Sequence, residues 1–189
     1  MTTVVLAVST LKIAVLGWGS LVWDPASLDL DGPWQTGGPI LPLEFSRLTG
    51  DGRLVLCIDS GTGSPVTTRW AMSRRGTVAE VVVDLATRLR VPGERIGGCV
   101  PAAGEVRTFH KSVAPAIIAW AGDRGIDAVL WSDLPSNFKS FSIARGVAYL
   151  AKRDPEEAAR ARQEFVRAAP EEETLLRRAL RENGWIDAG

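Results

Sequence analysis

Early in the chain the hydropathy runs apolar, small, apolar: Ile13-Ala14-Val15-Leu16, then Gly17-Trp18-Gly19-Ser20, then Leu21-Val22-Trp23. That order predicts a strand, a tight turn and a platform beyond it. Two further runs, Leu43 to Leu48 and Arg53 to Asp59, flank Thr49-Gly50-Asp51-Gly52, whose Asp-Gly pair is a hairpin signal. In the first of them Leu43 and Phe45 share one face, and Glu44 and Ser46 the other. Thr67 to Met72 predicts a short strand and Ile126 to Trp131 a buried one. The stretches 24–42 and Ser60 to Pro65 are dense in Pro, Gly, Asp and Ser, so both read as loops.

Helical periodicity takes over elsewhere. Thr77 to Leu89 carries three consecutive valines, yet its apolar residues recur at three-to-four spacing, which favours a helix ending before Pro92-Gly93. Residues 112–124 read as a helix with Ser112 as its N-cap, and Phe141 to Lys152 as another. Asp154-Pro155-Glu156-Glu157 supplies an N-cap, a first-turn proline and first-turn acids. After Pro170 a last helix spans Glu171 to Glu182 and closes near Asn183-Gly184, and the charges of these C-terminal helices form a solvated face. Without repeats or low-complexity tracts, residues 1–189 read as one domain, with 1–11 as an extension and 154–184 as C-terminal helices.

Composition narrows the partners. A chain of 189 residues that is 46% hydrophobic can bury a proper core. Its 22 Lys+Arg balance 22 Asp+Glu, which argues against nucleic acid or an anionic membrane and for a small neutral or zwitterionic ligand; a homodimer stays open. Cys57 and Cys99 sit in no metal spacing and there is one histidine, so free thiols, a cytoplasmic location and no metal are expected. The opening Val4 to Val8 run falls short of the roughly 20 apolar residues of a membrane span and lacks a basic leader, so it reads as a frayed extension or a wrongly assigned start.

The glycine turn carries the candidate chemistry. A dinucleotide fingerprint would need Gly or Ala where Val22 stands, and a phosphate loop would need Gly-Lys-Ser/Thr, which is absent. What the turn can do is aim the N–H groups of Gly19, Ser20 and Leu21 at an anion, for which a carboxylate is the natural guest.

Trp18-Gly19-Ser20-Leu21, followed by Val22-Trp23-Asp24-Pro25, resembles the Tyr-Gly-Ser-Leu signature of γ-glutamylcyclotransferase-like proteins. The segment Asp127 to Phe138 is similar to uncharacterised bacterial relatives of that family. The resemblance implies an α+β fold built on a small mixed β-barrel with flanking helices, and a cofactor-free reaction. The α-amine of a γ-glutamyl amide attacks its own γ-carbonyl, releasing 5-oxoproline and an amine. One carboxylate can take the proton from the α-ammonium and pass it to the leaving nitrogen, while backbone amides hold the substrate carboxylate.

In the family that carboxylate is a glutamate followed by glycine. Here no Glu-Gly occurs, and the nearest register places Leu89-Arg90 there. Glu44 is the preferred stand-in acid/base, since a barrel interior would raise its pKa; its competing role is an ion pair with Arg47 or Arg69. Glu80, on a helix face, and Glu94, in a turn, are weaker choices. For substrate binding the candidates are Trp18, which replaces the family's tyrosine, Gly19, Ser20, Leu21 and Arg47, the last as a bidentate clamp or as partner of Glu44. His110 reads as structural or surface, Cys57 as a core thiol, and Asn137 and Phe138 as pocket rim or turn anchor. Two other functions fit the same residues: a binding protein for a small carboxylate that lost the chemistry, and a related amide rearrangement.

Overall fold

The computed structural model describes residues 11–187, so the Val4 to Val8 run lies outside the described residues. The fold is mixed α+β. Among the described residues nine strands occur in the order β1 (Ile13–Gly17), β2 (Leu30–Gln35), β3 (Ile40–Leu48), β4 (Leu54–Ile58), β5 (Ser64–Thr67), β6 (Arg69–Ser73), β7 (Ile96–Val100), β8 (Glu105–Arg107) and β9 (Ala128–Ser132). Six helices accompany them: α1 (Ser20–Trp23), α2 (Val78–Leu89), α3 (Ala114–Gly122), α4 (Ile143–Ala151), α5 (Pro155–Val166) and α6 (Leu175–Glu182).

One six-stranded sheet runs β2-β6-β1-β9-β7-β8, and a second, antiparallel sheet runs β4-β3-β5. β1 sits centrally, parallel to β9 with Val15 beside Leu130, and antiparallel to β6 with Leu16 beside Trp70. Its period of two explains the layering. Ala14 and Leu16 turn toward the small sheet and the C-terminal helices, among Leu43, Phe45, Trp131 and Phe165. Ile13 and Val15 turn the other way, onto Val81 and Leu85 of α2.

The strands do not close the expected barrel. The sheets are joined where the chain crosses from β5 to β6 at Thr68, whose N–H and hydroxyl both donate to the Pro39 carbonyl, at 3.2 and 2.8 Å. On the far side a single bridge links Ile58 to Pro135. Pro135 has no N–H to extend a ladder, so the continuation of β9 leaves sheet geometry there.

The β3–β4 hairpin forms as its Asp-Gly turn predicts, with Leu43 opposite Ile58. α2 is a helix because its ends are well made. Thr77 Oγ1 accepts from the Glu80 N–H at 3.3 Å, Glu80 Oε2 accepts from the Thr77 N–H at 3.1 Å, and Arg90 closes the helix in the left-handed conformation.

Several expectations are corrected. The supposed loop 24–42 contains β2 and the start of β3, and part of the 60–65 loop belongs to β5. The helix expected from 112 starts at Ala114, because Lys111–Val113 form a 3₁₀ turn; Ser112 caps nothing and its hydroxyl lies 3.2 Å from that of Ser60. The last helix starts at Leu175, since Thr174 is its N-cap and Glu171 to Glu173 make other bonds. β7 and β8 were not anticipated: Gly97 and Gly98 dilute the strand signal of the former. Among the described residues no helix is long and apolar enough to cross a membrane.

Candidate functional site

The turn after β1 needs both glycines, for different reasons. A Cβ on Gly17 would lie 2.5 Å from the Trp34 ring, and Gly19 has φ of 53°. The Gly19 N–H already holds a carboxylate, but it is the chain's own: it donates to Glu172 Oε1 at 2.7 Å, while Glu172 Oε2 accepts from the Ala169 N–H at 2.9 Å. Burial raises the pKa of Glu172, and these two amides oppose the rise.

Ser20 and Leu21 line a solvent-open cavity of about 810 Å³ that Trp18 also borders. Its other wall is the last turn of α2 and its cap, Thr87 to Val91, so Leu89 fronts the same space as the glycine turn. Arg47 and Arg53 project from the β3–β4 hairpin, and Glu164 reaches the cavity from α5.

The cavity is rich in arginine, and the four guanidiniums differ in how they are engaged. Arg88 locks the turn by donating to the carbonyls of Asp24 at 2.8 Å and Ser20 at 3.1 Å. Arg53 is paired with Asp51 at 2.9 Å and with Glu164. Arg47 donates to the Pro135 carbonyl at 2.6 Å and, like Arg90, has no carboxylate within ion-pair distance among the described residues. Arg47 and Arg90 are therefore the charges left for a ligand anion.

Glu164 is the carboxylate of this cavity. Its side chain is 2% exposed, burial raises its pKa, and the charge of Arg53 opposes the rise. The reading of the C-terminal charges as a solvated face fails here. Ala161, Glu164, Phe165 and Ala168 share one stripe, and all four are buried. That stripe was the sequence signal that could have found Glu164.

Glu44 is placed elsewhere and does not border the cavity. It is fully buried under the start of α6, where Oε1 accepts from the Phe45 N–H at 2.8 Å and Oε2 from the Leu176 N–H at 3.3 Å. Burial raises its pKa; hydrogen bonds from Thr174, Phe45 and Leu176 oppose. It pairs with neither Arg47 nor Arg69: the latter binds Glu171 at 2.6 Å. Glu44 ties β3 to α6 by satisfying a first-turn N–H of the helix. Accordingly, Glu44→Gln should cost about 1–3 kcal/mol in chemical denaturation, because the Phe45 amide, the Leu176 amide or the Thr174 hydroxyl loses its acceptor. Any activity of the cavity, measured per folded molecule, should be unchanged.

The other candidates take structural places. Glu80 is the capping-box residue of α2, and Glu94 is exposed. Asn137 spans the end of β3 by accepting from Leu48 N–H at 2.6 Å and donating to Leu48 O at 3.0 Å, and Phe138 packs edge-on to Phe141 and Tyr149. Cys57 and Cys99 are buried thiols pushed up to about 11 by desolvation, so neither is a nucleophile at neutral pH.

His110 has a buried Nε2 without a hydrogen-bond partner. Burial lowers its pKa below the ordinary 6.5, and the charges of Asp133 and Asp59 oppose. The folded chain thus keeps this imidazole neutral where the unfolded chain protonates it. Its contribution to stability is present above pH 6.5 and is lost as pH falls through the depressed folded value. The imidazole resonances of this single histidine should titrate with a midpoint below 6.5. His110→Gln should abolish that acid-side loss, so wild-type stability minus variant stability should fall as pH drops below 6.5, a comparison that cancels the opposite contributions of Glu44, Glu164 and Glu172.

No family model, curated protein or solved structure matches the chain.

Proposed function

We propose that the protein is a γ-glutamylcyclotransferase-like enzyme whose acid/base is Glu164. The observation that carries this reading is the cavity that opposes the Trp18–Leu21 turn to the end of α2 and seats one buried carboxylate between arginines. A γ-glutamyl amide brings an anionic α-carboxylate, an α-ammonium and a neutral γ-amide. Arg47 or Arg90 takes the carboxylate, together with the Ser20 and Leu21 side of the turn. Glu164 removes a proton from the α-ammonium. The freed amine then forms a C–N bond to the γ-carbon, the amide C–N bond breaks as Glu164 gives its proton to the departing nitrogen, and the second proton shed by the ring nitrogen passes through the regenerated carboxylate to the departing amine, which leaves as an ammonium. A raised pKa suits a group that must accept and release a proton near neutrality.

The two sheets fit an opened version of the family's barrel. Beyond β9 the chain runs alongside β3: the Ser46 carbonyl accepts from the Phe138 N–H at 3.3 Å and from the Ser136 hydroxyl at 2.8 Å.

Incubation with a panel of γ-glutamyl amines and amino acids, read out as 5-oxoproline, tests the proposal. Product from at least one member is the expected result; silence across the panel at high enzyme concentration overturns it. A second reading, a binding protein for a small carboxylate without turnover, is favoured by Leu89 at the acid's place and by Glu172 on the Gly19 amide. Thermal stabilisation by an intact panel member with no product selects that reading.

A further inference from the structure

We propose that the chain forms a twofold homodimer by antiparallel pairing of β8 with β8 of a second copy. β8 is the outer strand of the six-stranded sheet, and all three of its residues are exposed. Its sequence is Glu105-Val106-Arg107, which is self-complementary when two copies run antiparallel about Val106. Each Glu105 then lies opposite the other copy's Arg107, twice over, and the two Val106 side chains meet on the axis.

The faces of the sheet agree with this pairing. Glu105 is in register with Val100 and Arg107 with Gly98, so both charged side chains stand on the α2 side; Val106, in register with Cys99, stands on the other. Val106 is 43% exposed, an uncovered β-branched side chain on an edge strand. On the α2 side the edge borders an apolar hollow of about 750 Å³ floored by Gly98 and Leu130 and walled by Val78 and Val82. A twofold axis normal to the sheet keeps both α2 helices on one side, so the two hollows join across the seam beneath the Glu–Arg pairs. The sheet's opposite edge is guarded: β2 carries Pro33 and an irregular register between Asp31 and Gln35, whereas β8 has neither proline nor bulge.

Sedimentation of the full chain at high micromolar concentration should give twice the 20.3 kDa chain mass. Glu105→Arg alone, or Arg107→Glu alone, places like charges opposite each other twice and should weaken dimerisation by about tenfold or more. These positions are exposed, so folding is untouched. Mixing the two single variants restores opposite charges in a heterodimer and should recover wild-type affinity. A monomeric wild type, a dimer indifferent to both substitutions, or a mixture no tighter than either variant overturns the proposal.

Discussion

Glu164→Gln should lower the rate of 5-oxoproline release by at least about a hundredfold, the span that general acid/base catalysis supplies being about 10²–10⁴. The amide keeps the size of the carboxylate and can still accept from Arg53, but it can neither take the ammonium proton nor return one. The loss should fall on kcat, because the groups proposed to bind the substrate, Arg47, Arg90 and the turn, are unchanged. The acidic limb of the wild-type pH–rate profile, set by a glutamate whose pKa burial has raised, should vanish with it. Rates and melting curves for Glu164→Gln and Glu44→Gln side by side make the assignment decisive. Glu164→Gln should fold and fail to turn over, and Glu44→Gln should turn over and melt early. The reverse pattern would return the proton transfer to Glu44.

Both carboxylates have raised pKa values, so perturbation alone does not separate them; geometry does. Glu44 spends its oxygens on the amides of Phe45 and Leu176, deep below α6. Glu164 spends one on Arg53 at the edge of an open cavity. A carboxylate that holds two helix or strand amides is a fastener. One beside an arginine in a solvent-reached hollow has somewhere to send a proton.

How much of this could be read from the letters depends on the range of the forces involved. β1, its glycine turn, the β3–β4 hairpin and the capped α2 were legible because each is dictated by neighbours within a few residues: apolar runs, Asp51-Gly52, Thr77 with Glu80. β2 was hidden because Gly32 and Pro33 sit inside it, on an edge where a sheet tolerates them. Of the site, Trp18, Ser20, Leu21 and Arg47 do share a cavity wall, whereas Gly19 lies behind it. Glu164 was missed because its burial depends on α5 docking across the sheet, and its partner Arg53 is 111 residues away in sequence. Glu172 likewise reaches the Gly19 amide across 153 residues. A local pattern can show that a turn will hold an anion; it cannot show that the chain brings its own.

Docking of α5 is also where the largest effect on stability is expected. Phe165→Ala should destabilise the fold by about 3–5 kcal/mol. The ring is fully buried, 4.3 Å from that of Phe45 on β3 and 5.8 Å, edge-on, from that of Trp185 beyond α6. Truncation removes both aromatic contacts and leaves a hollow between the small sheet and the C-terminal helices, which the close-packed neighbours cannot fully collapse into. At about 2–4 °C per kcal/mol for a chain of this size, melting should drop by roughly 6–20 °C. The change also reaches the site, because Glu164 is the preceding residue and is aimed into the cavity by the packing of Phe165. Whatever fraction of Phe165→Ala remains folded should therefore release 5-oxoproline more slowly than wild type, and Phe165→Leu should lose less of both stability and rate. Denaturant titration and initial rates on the same samples measure the two together. A loss below about 1 kcal/mol, outside the range for a buried phenylalanine, would mean that α5 is not seated on the sheet. The carboxylate it carries would then have no fixed place opposite the glycine turn.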